Sequence, residues 1–274
     1  MNEINFDALY CMFKGNPGTW KSTEALSFPL PQYWASWDRK MEALVIPMRN
    51  WKINPKDIQY DDYDDWNHAR SKLEQFQVSC PFRTLVIDSI TSCADSALRQ
   101  TMKLKYGTTR KSGNEAGRRI AGIAINEIED YMAEASALSE LLSLTKDINR
   151  FHKVNVILIA HVIQAEYKSP DGKTNFNRTI VTAGKRIAPK IPAYCGEVYH
   201  FDIKKGFVDG KGGEHVIYTT NTGDDFARTA LPLPEEIVIG NEPLYDRWIK
   251  PAIDKFTTTP ENKPITTFNI TETK

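Results

Sequence analysis

The chain has 274 residues, in which 35 Lys and Arg balance 35 Asp and Glu, with 41% hydrophobic and 26% charged residues. That length suits one sizeable domain or a domain with an appendage, and zero net charge excludes a uniformly basic nucleic-acid binder, so polyanion contact must rest on local patches. Cys11, Cys80, Cys93 and Cys195 make neither a C-x-x-C pair nor a zinc spacing, no stretch approaches the roughly 18 apolar residues of a membrane span, and the N-terminus lacks a signal-peptide pattern, so a cytoplasmic protein with reduced thiols is expected.

The first element is a short apolar strand, Leu9–Phe13. It runs into a glycine-containing loop and then into Lys21-Ser-Thr-Glu-Ala-Leu. This is the strand–loop–helix context of a phosphate loop, in which backbone N–H groups converge on phosphates, a lysine reaches the terminal ones and a hydroxyl holds magnesium. Gly15-Asn16-Pro17-Gly18-Thr19-Trp20-Lys21-Ser22 fits G-x-x-x-x-G-K-[ST] except at Trp20, which stands where the motif has glycine; Thr23 follows. The amide at Trp20 remains, although positive φ at so bulky a residue costs roughly 1–3 kcal/mol. Two roles are open for the indole: stacking on a base, or packing against a neighbouring subunit.

Gln32–Ser36 reads as a second strand closed by Asp38, and 39–49 as helical. Acidic residues 61–65 open a helix in which Trp66, Ala69, Leu73 and Phe76 recur at core-packing spacing. Arg83–Ile90 is a β-branched run carrying Asp88. A carboxylate at the end of such a strand either orders a magnesium-bound water beside the loop or caps the next helix; in company with Lys21 and Ser22 the metal role is preferred. Ser89 stands ready to assist.

A helical tract covers about 120–151, as one long helix or two abutting ones. Val154–Ala160 is continuously apolar, as in a parallel strand covered on both faces, and His161 follows it. That position suits a sensor of the γ-phosphate, against the structural role usual for a lone histidine. Asp38 is the candidate to position attacking water, with Glu42 and Asp61 as nearby competitors. Residues 162–183 read as a hairpin around Ser169-Pro-Asp-Gly172, and 197–221 as another around Asp209–Gly213. The threonine-rich tail is expected to be extended or disordered from about 257. The alternation predicts an α/β fold, a mostly parallel sheet flanked by helices with C-terminal β-hairpins.

Gly15–Thr23, Leu85–Thr91 and Val156–His161 together resemble the phage-encoded RecA-like ATP-binding proteins of the AAA-domain type, some of which are single-strand annealing recombinases. The segment Ala227–Ile237 resembles the basic residue and proline-containing stretch that closes such domains. The resemblance covers about residues 8–240. It implies a RecA-like P-loop NTPase core over 1–240 with a C-terminal extension over 241–274, and binding of ATP and Mg2+. It further implies a homo-oligomer with nucleotide at subunit interfaces. Lys21 and Ser22 become the phosphate and magnesium residues, Asp88 the acid of the magnesium site and His161 the polar sensor. Lys204, Lys205 and Arg228 become candidates to complete a neighbour's site. In such proteins the loops after the acid and sensor strands face DNA.

Residues 99–119 carry seven basic residues (Arg99, Lys103, Lys105, Arg110, Lys111, Arg118, Arg119) against Glu115, with three glycines that make the stretch flexible. Lys168, Lys173, Arg178, Lys185, Arg186 and Lys190 add a second patch. Such patches neutralise backbone phosphates without reading sequence, so single-stranded DNA is the expected partner. The implied function is an ATPase of DNA recombination, annealing or repair. Alternatives are a nucleotide-binding oligomer with weak hydrolysis and, less favoured for want of a lid or acceptor-binding arginine cluster, a small-molecule P-loop kinase.

Overall fold

The computed structural model describes residues 8–107, 119–120, 123–124, 128–168, 174–182, 187–204, 213–223 and 225–258. In chain order the elements are β1 (Tyr10–Gly15), α1 (Lys21–Ala25), β2 (Gln32–Ser36), α2 (Val45–Asn50), β3 (Ile58–Asp62), α3 (Trp66–Val78), β4 (Thr84–Asp88) and α4 (Ile90–Gly107). Then follow β5 (Arg119–Ile120), β6 (Ile123–Ala124), α5 (Ile128–His152), β7 (Asn155–Lys168) and β8 (Thr174–Ile180). The chain continues with α6 (Ile191–Tyr194), β9 (Glu197–Lys204), β10 (Glu214–Tyr218), β11 (Glu236–Val238) and α7 (Lys250–Thr258), the last preceded by a π turn over Tyr245–Ile249.

The main sheet runs β11-β10-β9-β1-β7-β4-β2-β3, with β8 paired to β7. The strands from β9 to β3 are mutually parallel, while β8, β10 and β11 join antiparallel. Helices cover both faces, which is why Cys11–Phe13, Leu85–Ile87 and Val156–Ala160 are apolar without a break. Their residues alternate strictly between two cores. Tyr10, Met12, Tyr33, Leu85, Ile87, Val156 and Leu158 face one, against Leu73, Phe76, Ile90, Leu138 and Ile148 of α3, α4 and α5. Cys11, Phe13, Trp34, Val86, Ile157 and Ile159 face the other, against Ala25, Leu26, Phe28, Leu44, Leu244 and Ile249. The period of two along each strand sends neighbouring side chains to opposite faces.

The mostly parallel sheet with late hairpins is as expected, with three local departures. Residues 61–62 belong to edge strand β3, not to a helix start; Asp65 is the true N-cap, accepting from Asn67 N at 2.7 Å. The helical tract expected from 120 begins at Ile128, because Arg119–Ile120 and Ile123–Ala124 pair as short strands on either side of helix-disfavouring Gly122. The basic stretch expected to be flexible from 99 is helical through Gly107, within α4. Beyond 240 the chain packs on the sheet: Leu244, Ile249 and Ala252 are buried in the second core. The tail expected to be extended or disordered from about 257 is helical through Thr258, at the end of α7, and its remainder lies outside the described residues, as do the expected turn at 169–172 and residues 209–212 of the other.

No helix among the described residues is long and apolar enough to cross a membrane.

Candidate active site

The loop between β1 and α1 follows Gly15, which is level with His161 midway along β7, and lies near the C-terminal end of β4. Gly15 is obligatory there: a Cβ would meet the Phe201 carbonyl oxygen at 2.3 Å, so β9 closes against the loop. Gly18 has φ 81 and Trp20 φ 68, both left-handed. The indole at that position is stacked on the His215 imidazole of β10, ring centroids 4.1 Å apart and 15° between planes. Thr19 Oγ1 donates to the Asn16 carbonyl at 2.8 Å, which pins the turn through Pro17.

The Lys21 ammonium donates to the carbonyls of Gly15 (2.9 Å) and Asn16 (2.7 Å) and to Thr19 Oγ1 (3.3 Å). Burial pulls its pKa down to about 8 against the attraction of Asp88 and Asp38. Ser22 Oγ donates to Asp88 Oδ2 at 2.8 Å. Burial pushes Asp88 up to about 6 despite that bond. The next peptide, Asp88–Ser89, is cis. Thr23 completes the motif inside α1 and is partly buried.

Asp38 follows β2, and its segment is held to β4 because Trp37 N and Asp38 N both donate to the Asp88 carbonyl (2.7 and 3.3 Å). Its Oδ1 accepts from Ser89 Oγ (3.1 Å) and Ser92 Oγ, and its Oδ2 lies 3.3 Å from His161 Nε2. Burial alone would raise this carboxyl, but His161, Ser92 and Ser89 together hold it at about 2. His161 lies within β7, where its N–H donates to Thr91 Oγ1 at 3.1 Å and its Nδ1 is buried with no hydrogen-bond partner among the described residues. The structure therefore brings Lys21, Ser22, Asp88, Asp38 and His161 to one edge. Ser92 and Thr91 had no sequence signal, since a serine or threonine in the first turn of a helix is usual for local reasons alone. His215 had none either.

Glu42 and Asp61 are outside this cluster, Asp61 accepting from Tyr33 OH at 2.6 Å. Of the basic candidates, Lys103 is exposed on α4, Lys105 lies in the same helix and Arg119 in β5. Arg110, Lys111, Arg118, Lys173 and Lys205 lie outside the described residues. Arg178 is engaged internally, donating to Asp202 (2.7 Å) and Asp225 (3.2 Å) beside a buried Lys14 that is 3.6 Å from Asp225. Burial, with Lys14 and Arg178 adding to it, holds His200 of that cluster down at about 3. Lys204 is paired with Glu236, and Arg228 donates to the Cys195 carbonyl after α6.

No cluster of three or more His, Cys, Asp or Glu side chains placed to hold a metal occurs among the described residues. The Ser22 hydroxyl and the Asp88 carboxylate nevertheless form a pair of hard oxygen donors of the kind that suits Mg2+.

A sequence model of the family described as AAA domain matches residues 9–231, most of the chain. The chain belongs to that family. A KaiC-like protein from the hyperthermophilic archaeon Pyrococcus horikoshii OT3 superposes with a TM-score of 0.45 at 13% identity, over 85% of this chain and 89% of that one. No curated protein matches the sequence.

Proposed function

We propose that this AAA-domain protein is a Mg2+-dependent ATPase of the phage-encoded kind, acting on single-stranded DNA in recombination, annealing or repair. The observation that carries the ATPase reading is the convergence of Lys21, the Ser22–Asp88 pair and the Asp38–His161 pair on one sheet edge. ATP is the substrate. Loop amides from Gly15 to Ser22 cradle its phosphates, and Lys21 trades its carbonyl partners for phosphate oxygens. Ser22 and Asp88 are the residues to hold Mg2+, which when bound neutralises charge on the phosphates. Asp38 orients water for attack, and His161 reports on the occupied site through its bond to Asp38.

DNA as partner is supported by the basic stretch 99–119, of which Lys103 is exposed on α4. Arg178 contributes to the fold instead, since two carboxylates already claim it. A homo-oligomer with nucleotide between subunits and a cytoplasmic setting complete the reading; both rest on family likeness and composition.

One observation favours a slower enzyme. An Asp38 held at about 2 by three donors is a weak proton acceptor, as expected of a nucleotide binder that hydrolyses poorly until its hydroxyl partners move. Turnover measured with and without single-stranded DNA, beside Lys21→Ala, separates the readings. DNA-stimulated turnover lost in Lys21→Ala supports the recombination ATPase. Binding without turnover supports the slow binder, and turnover that needs a small acceptor but ignores DNA overturns both.

A further inference from the structure

We infer that Trp20 is the nucleobase platform of this site, so that the residue standing in place of the motif glycine adds affinity for nucleosides over bare phosphate. The inference rests on the ATP reading above and assigns a determinant of its specificity.

The sheet order β10-β9-β1-β7-β4-β2 places the two ends of the ligand. Asp88 ends β4, Asp38 follows β2 and His161 lies on β7, so these three groups sit on one side of β1, with Lys21 and Ser22 on the helix that follows β1 itself. Trp20 leans the other way, onto His215 of β10. A triphosphate gripped between these flanks, with its terminal end toward Asp88, leaves its nucleoside end over β9 and β10. The ring pair is there.

One indole face is covered by His215, and the side chain is still 45% exposed, so it keeps an open surface. The stack also fixes the indole before ligand arrives, which spares the ordering cost of a mobile aromatic. Burial lowers the His215 pKa, so its ring is neutral at pH 7 and brings no charge to the pair. Trp20 holds a left-handed backbone, costly for a tryptophan, while its ring rests against β10. A glycine would hold the same turn without strain, so the strained choice calls for a return elsewhere. Stacking serves any base through its π face, and purines, with the larger face, gain more than pyrimidines.

Calorimetric titration of the full-length protein with MgATP, MgCTP and magnesium tripolyphosphate tests this on wild type, Trp20→Gly, Trp20→Phe and Lys21→Ala. Wild type should prefer ATP to tripolyphosphate and ATP to CTP. Trp20→Gly should lower the ratio of ATP to tripolyphosphate affinity by roughly tenfold, the scale of one base–aromatic stack. Trp20→Phe should restore most of it. Equal losses for ATP and tripolyphosphate in Trp20→Gly, or a ratio that does not move, overturn the platform while leaving the phosphate site intact. If wild type binds neither ligand, or Lys21→Ala binds both as wild type does, the nucleotide reading itself falls, and this inference with it.

Discussion

Ser22 Oγ donates a 2.8 Å hydrogen bond to Asp88 Oδ2, joining two residues 66 positions apart across the width of β7. The hydroxyl begins a helix and the carboxylate ends a strand, and only the parallel order β1-β7-β4 brings them together. Burial raises Asp88 to about 6, above its value in the unfolded chain. Protonation therefore stabilises the folded protein fully below about pH 4, and that contribution is lost as pH rises through about 6. Asp88→Asn should melt higher than wild type at pH 7 without ligand, with the difference shrinking toward pH 4. The same variant should lose the Mg2+ dependence of ATP binding. Thermal melts across that range, with and without MgATP, check both halves.

Lys21 carries the opposite sign. Its folded pKa of about 8 lies below that of a free lysine, so the unfolded chain holds the proton more tightly between pH 8 and 10.5. Stability from this group is full above that window and lost as pH falls through 8. Lys21→Met should thus melt at or above wild type at pH 7, lack the gain between pH 8 and 10.5, and bind MgATP at least ~100-fold more weakly, since the charge-assisted contacts to phosphate vanish. Melting and nucleotide titration on one preparation separate a lost ligand contact from a lost fold.

The fold was legible where hydrophobic period and strand ends coincide. Gln32–Ser36 is a strand to the residue, and the run before His161 is a doubly covered central strand. Asp88 is readable because a polar residue closing an apolar strand lands at the sheet edge, and His161 because the apolar run before it ends level with the Gly15 end of β1, although β7 itself continues to Lys168. Asp38 is only weakly separated from Glu42 and Asp61 in the sequence because what selects it is tertiary: the Asp88 carbonyl holding Trp37 N and Asp38 N. Edge strand β3 escaped because IQYDD is largely exposed and carries no alternation. His215 escaped for a similar reason, since ring stacking across 195 residues leaves no local pattern.

Asp38 receives Ser89, Ser92 and His161 at once, and that crowding makes a prediction about rate. Asp38→Asn should keep ATP affinity within a few-fold and lower turnover by roughly 10²–10⁴, the usual scale for losing a positioned acid–base group. Ser92→Ala removes one donor that lowers the carboxyl pKa, so Asp38 should become more basic. The acidic limb of the turnover profile should move to higher pH, and the plateau should rise if proton acceptance limits the rate. Stability from Asp38 is present above pH 3.8 and lost as pH falls through about 2, so at neutral pH Asp38→Asn should melt below wild type, and Ser92→Ala by a smaller margin, with both differences shrinking toward pH 2. Steady-state turnover and melts from pH 2 to 9 are the measurements.

Glu24, the third residue after Lys21, ties the C-terminal segment to the phosphate-loop helix. Its Oε2 accepts from Leu244 N at 2.9 Å, while Oε1 is buried with no hydrogen-bond partner among the described residues, and the side chain lines a water-sized cavity of about 10 Å3. Burial raises this carboxyl to about 7 against the bond from Leu244. Stability from its proton is present below about pH 4.5 and lost as pH rises through 7. Glu24→Gln keeps an acceptor for Leu244 without the desolvated charge, so its melting temperature should exceed wild type by a margin that grows from pH 4.5 to 7 and then levels. Ending the chain at Gly240 removes the partner instead. It uncovers the second core by withdrawing Leu244 and Ile249, each contributing about 1.5–3 kcal/mol of burial, a sum comparable with the stability of many domains. The truncated protein should therefore unfold at far lower denaturant than wild type, whereas full-length Glu24→Gln should not; equal denaturant midpoints for the truncated and full chains would mean that the segment beyond 240 adds nothing to the core.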